Sequence, residues 1–132
     1  MSLPHFRLGS VGHSNALPLT IALPTSPFLD TPVALTQKFK QGELDAALLP
    51  IAALGDIPQA ALVDGLGISS NGPILSVVVR CHLPATELQS IAPNPRSRSS
   101  NLLLECLLQH DQLVPGHTIR LDANSTEAEL LI

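Results

Sequence analysis

Residues 11–19 read VGHSNALPL, and the reading of this stretch sets the reading of the chain. Ahead of it, HFRLGSV (residues 5–11) predicts a first β-strand. Behind it, NALPLTIAL (residues 15–23) predicts a short helix in which Pro18 is tolerable only in the first turn. Between them sits a small polar cluster of Gly12, His13, Ser14 and Asn15. A strand that passes into a helix through such a turn is an α/β signal, and it puts His13 and Asn15 at the tip.

Outward from that turn the pattern repeats. TPVALTQKFKQGE (residues 31–43) predicts a helix with Thr31 as N-cap, Pro32 at the first helical position and Gly42 just past the end. Leu35 and Phe39 fall on one face of it. LDAALLP (residues 44–50) predicts a short buried strand, and ALVDGLGISS leads on to PILSVVVRC (residues 73–81), the strongest strand signal, with three consecutive valines. LQSIAP (residues 88–93) predicts a strand, RSSNLLLECLLQH (residues 98–110) a helix, and GHTIRLD and AELLI two final strands. Alternating strands and helices imply an α/β fold with a mostly parallel sheet. Composition shifts at residues 83–87, which divides the chain into a first lobe, residues 1–84, and a partial second lobe, residues 85–132.

Composition excludes several classes. The 132 residues are 45% hydrophobic and 14% charged, which is globular rather than disordered. A net charge of −4 with seven Lys plus Arg offers no basic patch for nucleic acid. No apolar run reaches the ~20 residues of a membrane span, and MSLPHFRLGS has no charged and apolar leader, so a cytoplasmic protein is expected. Cys81 and Cys106 match no metal or redox spacing and read as reduced packing thiols. The five histidines show no ligand spacing, so no metal is expected, and the chain carries neither a Gly-rich phosphate loop nor a glycine-flanked Ser elbow.

In open α/β sheets ligands sit beyond the carboxyl ends of strands, and each polar cluster here lies at such an end. GHSN follows the first strand, SSNG (residues 69–72) precedes the valine strand, and NPRSRSS (residues 94–100) opens the late helix. Helix starts expose free N–H groups and favour anions, so Ser97, Ser99 and Ser100 suit a carboxylate. Each cluster also has a plain reading: Asn15 as a cap, Ser69–Gly72 as an ordinary turn, Ser97 as an N-cap. Three anion-friendly turns in one sheet make a shared cleft the expectation.

Taken in order, VGHSNALPL, GELDAALLPIAAL, GISSNGPILSVVV, SRSSNLLLECLL and AELLI resemble the chorismate dehydratases of the futalosine route to menaquinone. The resemblance implies a type II periplasmic-binding-protein-like fold, three layers α/β/α, used as a cytoplasmic enzyme without a cofactor. It implies that Asn15 is the catalytic residue, and that Ser69, Ser70 and Gly72 bind substrate. It also implies that Ser99 and Ser100, with Ser97 nearby, hold a carboxylate. The substrate implied is a small dicarboxylate, chorismate, converted to 3-[(1-carboxyvinyl)oxy]benzoate and water. His13 stands where that family usually carries Tyr, and it joins the substrate-binding set. A non-catalytic module for a small carboxylate is the alternative.

Family members run to about twice this length, and the chain stops at ELLI inside an apparent strand. The expectation is therefore a first half with an incomplete second lobe, inactive alone or active only as an assembly. Open apolar strands in that lobe would recruit a second copy, giving a homo-oligomer with exchanged strands, hinged at residues 83–87 where Pro84 stiffens the chain.

Overall fold

The computed structural model describes residues 5–132. Two compact units form, one ending at Ser70 and the other running Asn71–Ile132. Both are mixed α/β.

The first unit is built on a parallel three-stranded sheet in the order β2-β1-β3. The strands are β1 (Leu8–Ser10), β2 (Phe28–Leu29) and β3 (Ala46–Ala47). Gly9 sits at the middle of the centre strand, opposite Phe28 on one side and Ala47 on the other. A Cβ there would stand 2.7 Å from Leu44 Cδ1 and 2.9 Å from Leu35 Cδ2. The glycine is what lets those two leucines, both buried, lie against the strand. Arg7, just before β1, grips Asp45, just before β3, through Nε–H (3.1 Å) and Nη2–H (2.7 Å), and its backbone N–H adds a third bond at 2.8 Å. Those three donors hold the Asp45 carboxyl at a pKa of about 2.

Helix α1 (Leu17–Thr20) is shorter than the sequence pattern predicts, and a 3₁₀ turn, Ser14–Ala16, precedes it. Pro18 has no N–H to add to the ladder, and Thr20 Oγ1 donates back to Ala16 O at 3.2 Å. Helix α2 (Pro32–Lys40) follows expectation. Thr31 caps it by accepting from Ala34 N–H, and Gly42 takes φ 71° just beyond its end. There Gly42 N–H donates to Phe39 O (3.1 Å) and Glu43 N–H to Lys38 O (2.9 Å), a Schellman closure. The Lys38 ammonium lies 4.9 Å from the centre of the Phe28 ring, which is half exposed on the edge strand.

In the second unit, β4 (Val78–Cys81) pairs antiparallel with β7 (Ala128–Leu131), and β5 (Ser90–Ile91) pairs parallel with β6 (Arg120–Leu121). A parallel bridge between Ala92 and Glu129 joins the two pairs, giving the order β4-β7-β5-β6. Helix α3 (Arg98–Gln109) covers this sheet, and Leu88, Ile91, Leu104, Ile119, Ala128 and Leu130 form its core. Glu127 accepts the N–H groups of Gln89 (2.8 Å) and Ser90 (2.9 Å) and so fixes the entry to β5; these bonds hold its carboxyl below the usual range.

Two expectations change. The valine strand begins at Val78 rather than residue 73, because β7 offers only four partners and Val77 N–H is turned back to Ile74 O. Both cysteines are exposed free thiols rather than packing groups: Cys81 lies on an edge strand and Cys106 on the outer face of α3.

Candidate functional site

The carboxyl end of β1 opens directly into the 3₁₀ turn Ser14–Ala16. His13 occupies the N-cap position of that turn with extended backbone, and its carbonyl accepts from Ala16 N–H at 3.0 Å. Ala16 is buried and pins the turn to the unit, which leaves His13, Ser14 and Asn15 exposed around it. The N-cap of α1 is Ala16. Asn15 therefore caps neither turn, and among the described residues its amide takes no hydrogen-bond partner. A carboxamide held on a short rigid turn, with both its donors and its acceptor open, can orient or polarise a bound oxygen.

Asp30, beyond the carboxyl end of the neighbouring β2, was not singled out by the sequence pattern. Its N–H donates to Ser10 O (3.2 Å) and its Oδ1 accepts Thr31 N–H (2.7 Å), so it joins β1 to the start of α2.

Ser69, Ser70 and Gly72 lie in a fully exposed loop, with Gly72 at φ 126°; the loop leads into the amino end of β4 rather than out of the carboxyl end of a strand. That backbone conformation is open to glycine and strained for any side chain.

The third cluster is the start of α3. Ser97 is its N-cap: the hydroxyl oxygen accepts Ser100 N–H (3.3 Å) while its proton goes to Ser100 Oγ (2.8 Å). Part of what the sequence offered to a ligand is thus spent on capping. Ser97, Ser99 and Ser100 remain partly accessible at the same helix start. The turn that presents them is locked by two asparagines. Asn94 N–H donates to Asn101 Oδ1 (2.8 Å), Asn101 Nδ2 returns a bond to Asn94 O (2.7 Å), and Asn94 Nδ2 reaches Leu130 O on β7 (3.1 Å). Asn94 Oδ1 also accepts Arg96 N–H at 2.9 Å. This lock was missed in the sequence, where its one local sign is the Asn-Pro turn dipeptide.

His13 and Asn15 therefore share one turn, Ser69, Ser70 and Gly72 one loop, and the three later serines one helix start. Two surface grooves take none of them. One, lined in part by Phe6, Arg7, Phe28 and Leu44, lies at the amino ends of β1, β2 and β3. The other, lined in part by Glu105, Asp111, His117 and Ile119, lies beside the end of α3 and the approach to β6. Ligands of open α/β sheets sit at the opposite, carboxyl ends, so the turn after β1 and the start of α3, each at such an end within its own unit, are the better candidates. Among the described residues no group of three His, Cys, Asp or Glu side chains is placed to hold a metal, and no helix is long and apolar enough to cross a membrane.

Compared with known proteins, residues 6–132 match a family model described as menaquinone biosynthesis. No curated protein matches the chain.

Proposed function

This chain belongs to the menaquinone biosynthesis family, and from that premise we propose that it is a cytoplasmic enzyme of chorismate dehydratase type on a type II periplasmic-binding-protein-like fold. The observation that supports this reading most is Asn15, held at the carboxyl end of β1 with its amide uncommitted.

The reaction needs little machinery. The C3–H and C4–O bonds of the chorismate ring break, the third ring double bond forms, and the proton and hydroxide leave as water. Aromaticity drives the step, so the protein has only to fix the ring, neutralise two carboxylates and assist one proton transfer. An amide is a weak base. Asn15 accordingly orients and polarises the departing hydroxyl, and a carboxylate of the substrate itself takes the proton. His13 flanks the same turn and contacts the ring or a carboxylate. Ser69, Ser70 and Gly72 supply hydroxyls and close backbone approach. Ser97, Ser99 and Ser100 receive a carboxylate at the start of α3, where the helix dipole favours an anion.

The test is turnover. Incubation with chorismate should yield 3-[(1-carboxyvinyl)oxy]benzoate, followed by chromatography, and Asn15→Ala should slow it by well over tenfold, on the order of 2–4 kcal/mol. Activity within a few-fold of wild type would remove Asn15 from the chemistry. A chorismate-induced rise in melting temperature with no product would favour a carboxylate-binding module instead.

A further inference from the structure

Five asparagines stand in the chain, and Asn71 is the one followed by glycine. The other four are held in place. Asn15 lies in the 3₁₀ turn that Ala16 N–H closes on His13 O at 3.0 Å. The side-chain amides of Asn94 and Asn101 are spent on Leu130 O and on the Asn94 backbone. Asn124 sits in a turn closed by Ser125 N–H on Asp122 O at 2.9 Å. Asn71 and Gly72 belong to no helix or strand, and both are exposed. Among the described residues the Asn71 amide takes no hydrogen-bond partner. Gly72 holds φ 126°, and a Cβ added there would meet nothing within 4 Å. An asparagine side chain is one bond short of a five-membered ring with the next backbone nitrogen. A side chain on the next residue crowds that ring, and a fixed backbone keeps the two atoms apart. Glycine removes the first obstacle, and a loop outside regular structure removes the second.

We propose that Asn71–Gly72 is a self-modifying site, at which the asparagine closes on the glycine nitrogen, loses ammonia and takes up water to leave an acid at position 71. The Gly72 backbone nitrogen, as it gives up its proton, attacks Asn71 Cγ. The Cγ–Nδ2 bond breaks, and ammonia carries the proton away. The product is a succinimide ring. Water then opens the ring at one of its two carbonyls. One opening leaves an aspartyl residue, the other an isoaspartyl residue whose main chain runs through the former side chain. One amide and one water are consumed, one acid and one ammonia are formed, and nothing is oxidised or reduced. Water apart, every atom that reacts belongs to residues 71 and 72, so the step takes no partner and no other part of the chain. It adds one negative charge to a chain whose net charge is −4. The isoaspartyl form also lengthens the main chain by a methylene just ahead of Pro73. One consequence rests on the proposed substrate reading: the new carboxylate stands between Ser70 and Gly72 and repels a dicarboxylate there. The loop then loses its hold on substrate as the molecule ages.

The test holds the full chain in mildly alkaline buffer for days and weighs its tryptic peptides at intervals. Residues 41–80 form one such peptide, with Asn71 its single asparagine. It should gain the mass difference between an amide and an acid, an isoaspartyl methyltransferase should label it, and ammonia should appear in equal amount. Peptides that hold the other asparagines should stay unchanged meanwhile. Asn71→Gln, which would have to close a six-membered ring, should slow the change at least tenfold. The same chain unfolded in urea gives the reference rate, and the folded chain should convert within about tenfold of it. An Asn71 that converts in urea but stays intact in the folded chain overturns the proposal. So does conversion of Asn124 as fast as that of Asn71. The melting shift induced by chorismate, in fresh and aged chain, tests the consequence separately. A smaller shift in the aged chain is expected, and an equal shift strikes the repulsion. A chain that ignores chorismate when fresh fails the substrate reading and takes the consequence with it, while the peptide masses still decide the modification.

Discussion

Among the described glycines, Gly9 is the one whose added Cβ would meet other atoms within 4 Å. It lies between both neighbouring strands, and its missing side chain is the space that Leu35 and Leu44 fill. Nothing about its backbone requires glycine; the requirement is room. Gly9→Ala should therefore destabilise the chain through crowding, by about 1–3 kcal/mol in urea denaturation. Trimming one crowding partner, Leu44→Ala, should recover part of that loss in the double variant, a non-additivity that contact predicts and a backbone effect does not. In the sequence this glycine looks like a weak point in a strand. Its role depends on residues 26 and 35 positions further along, which no local pattern connects to it.

Among the elements, α3 separates capping from recognition. Ser97→Ala removes the bond to Ser100 N–H and should cost about 1 kcal/mol of stability. Ser97→Asp caps as well and suits the helix dipole, so the melting temperature should hold. On the proposed reaction its carboxylate would nevertheless repel a substrate carboxylate, and KM for chorismate should rise at least tenfold with stability unchanged. An unchanged KM would leave Ser97 as a cap alone. Elements of this kind were legible because their signals are local: Thr31, Pro32 and Gly42 bracket α2, and Ser97 opens α3, each through bonds to residues within one turn. Strand β2 was not legible. It is two residues long, both half exposed or more, and exists because β1 offers it an edge. The 3₁₀ turn Ile51–Asp56 escaped notice as well, since Pro50 sets only its first residue and the Lys40–Asp56 ion pair (3.5 Å) that holds its far end is tertiary. For the candidate site, the turns could be read but not their supports. Asn15 and Ser97 stand out by type and position, whereas the Asn94–Asn101 lock joins residues seven apart and becomes visible only once the turn between them is built.

Across the whole molecule, residues 61–76 stand apart: every one is exposed, including Leu62, Val63, Leu66 and Ile68. Backbone with little burial is where a folded chain is cut first. Thermolysin, which cleaves before large apolar residues, should nick this stretch before any other and release two fragments that meet within it. Trypsin should spare it, since residues 61–76 contain no Lys or Arg. First cuts by thermolysin elsewhere would mean the stretch is protected by contacts of its own. The β4–β7 pairing has a different consequence, one of timing. Val78 emerges from the ribosome long before Leu131, its partner. At about 5–20 residues per second the wait is roughly 3–10 s. Throughout that interval β4 lacks this partner. Crowded polysomes therefore hold many copies of this valine strand within reach of each other, and the speed at which the codons between Val78 and Leu131 are read decides how often the wrong neighbour arrives first.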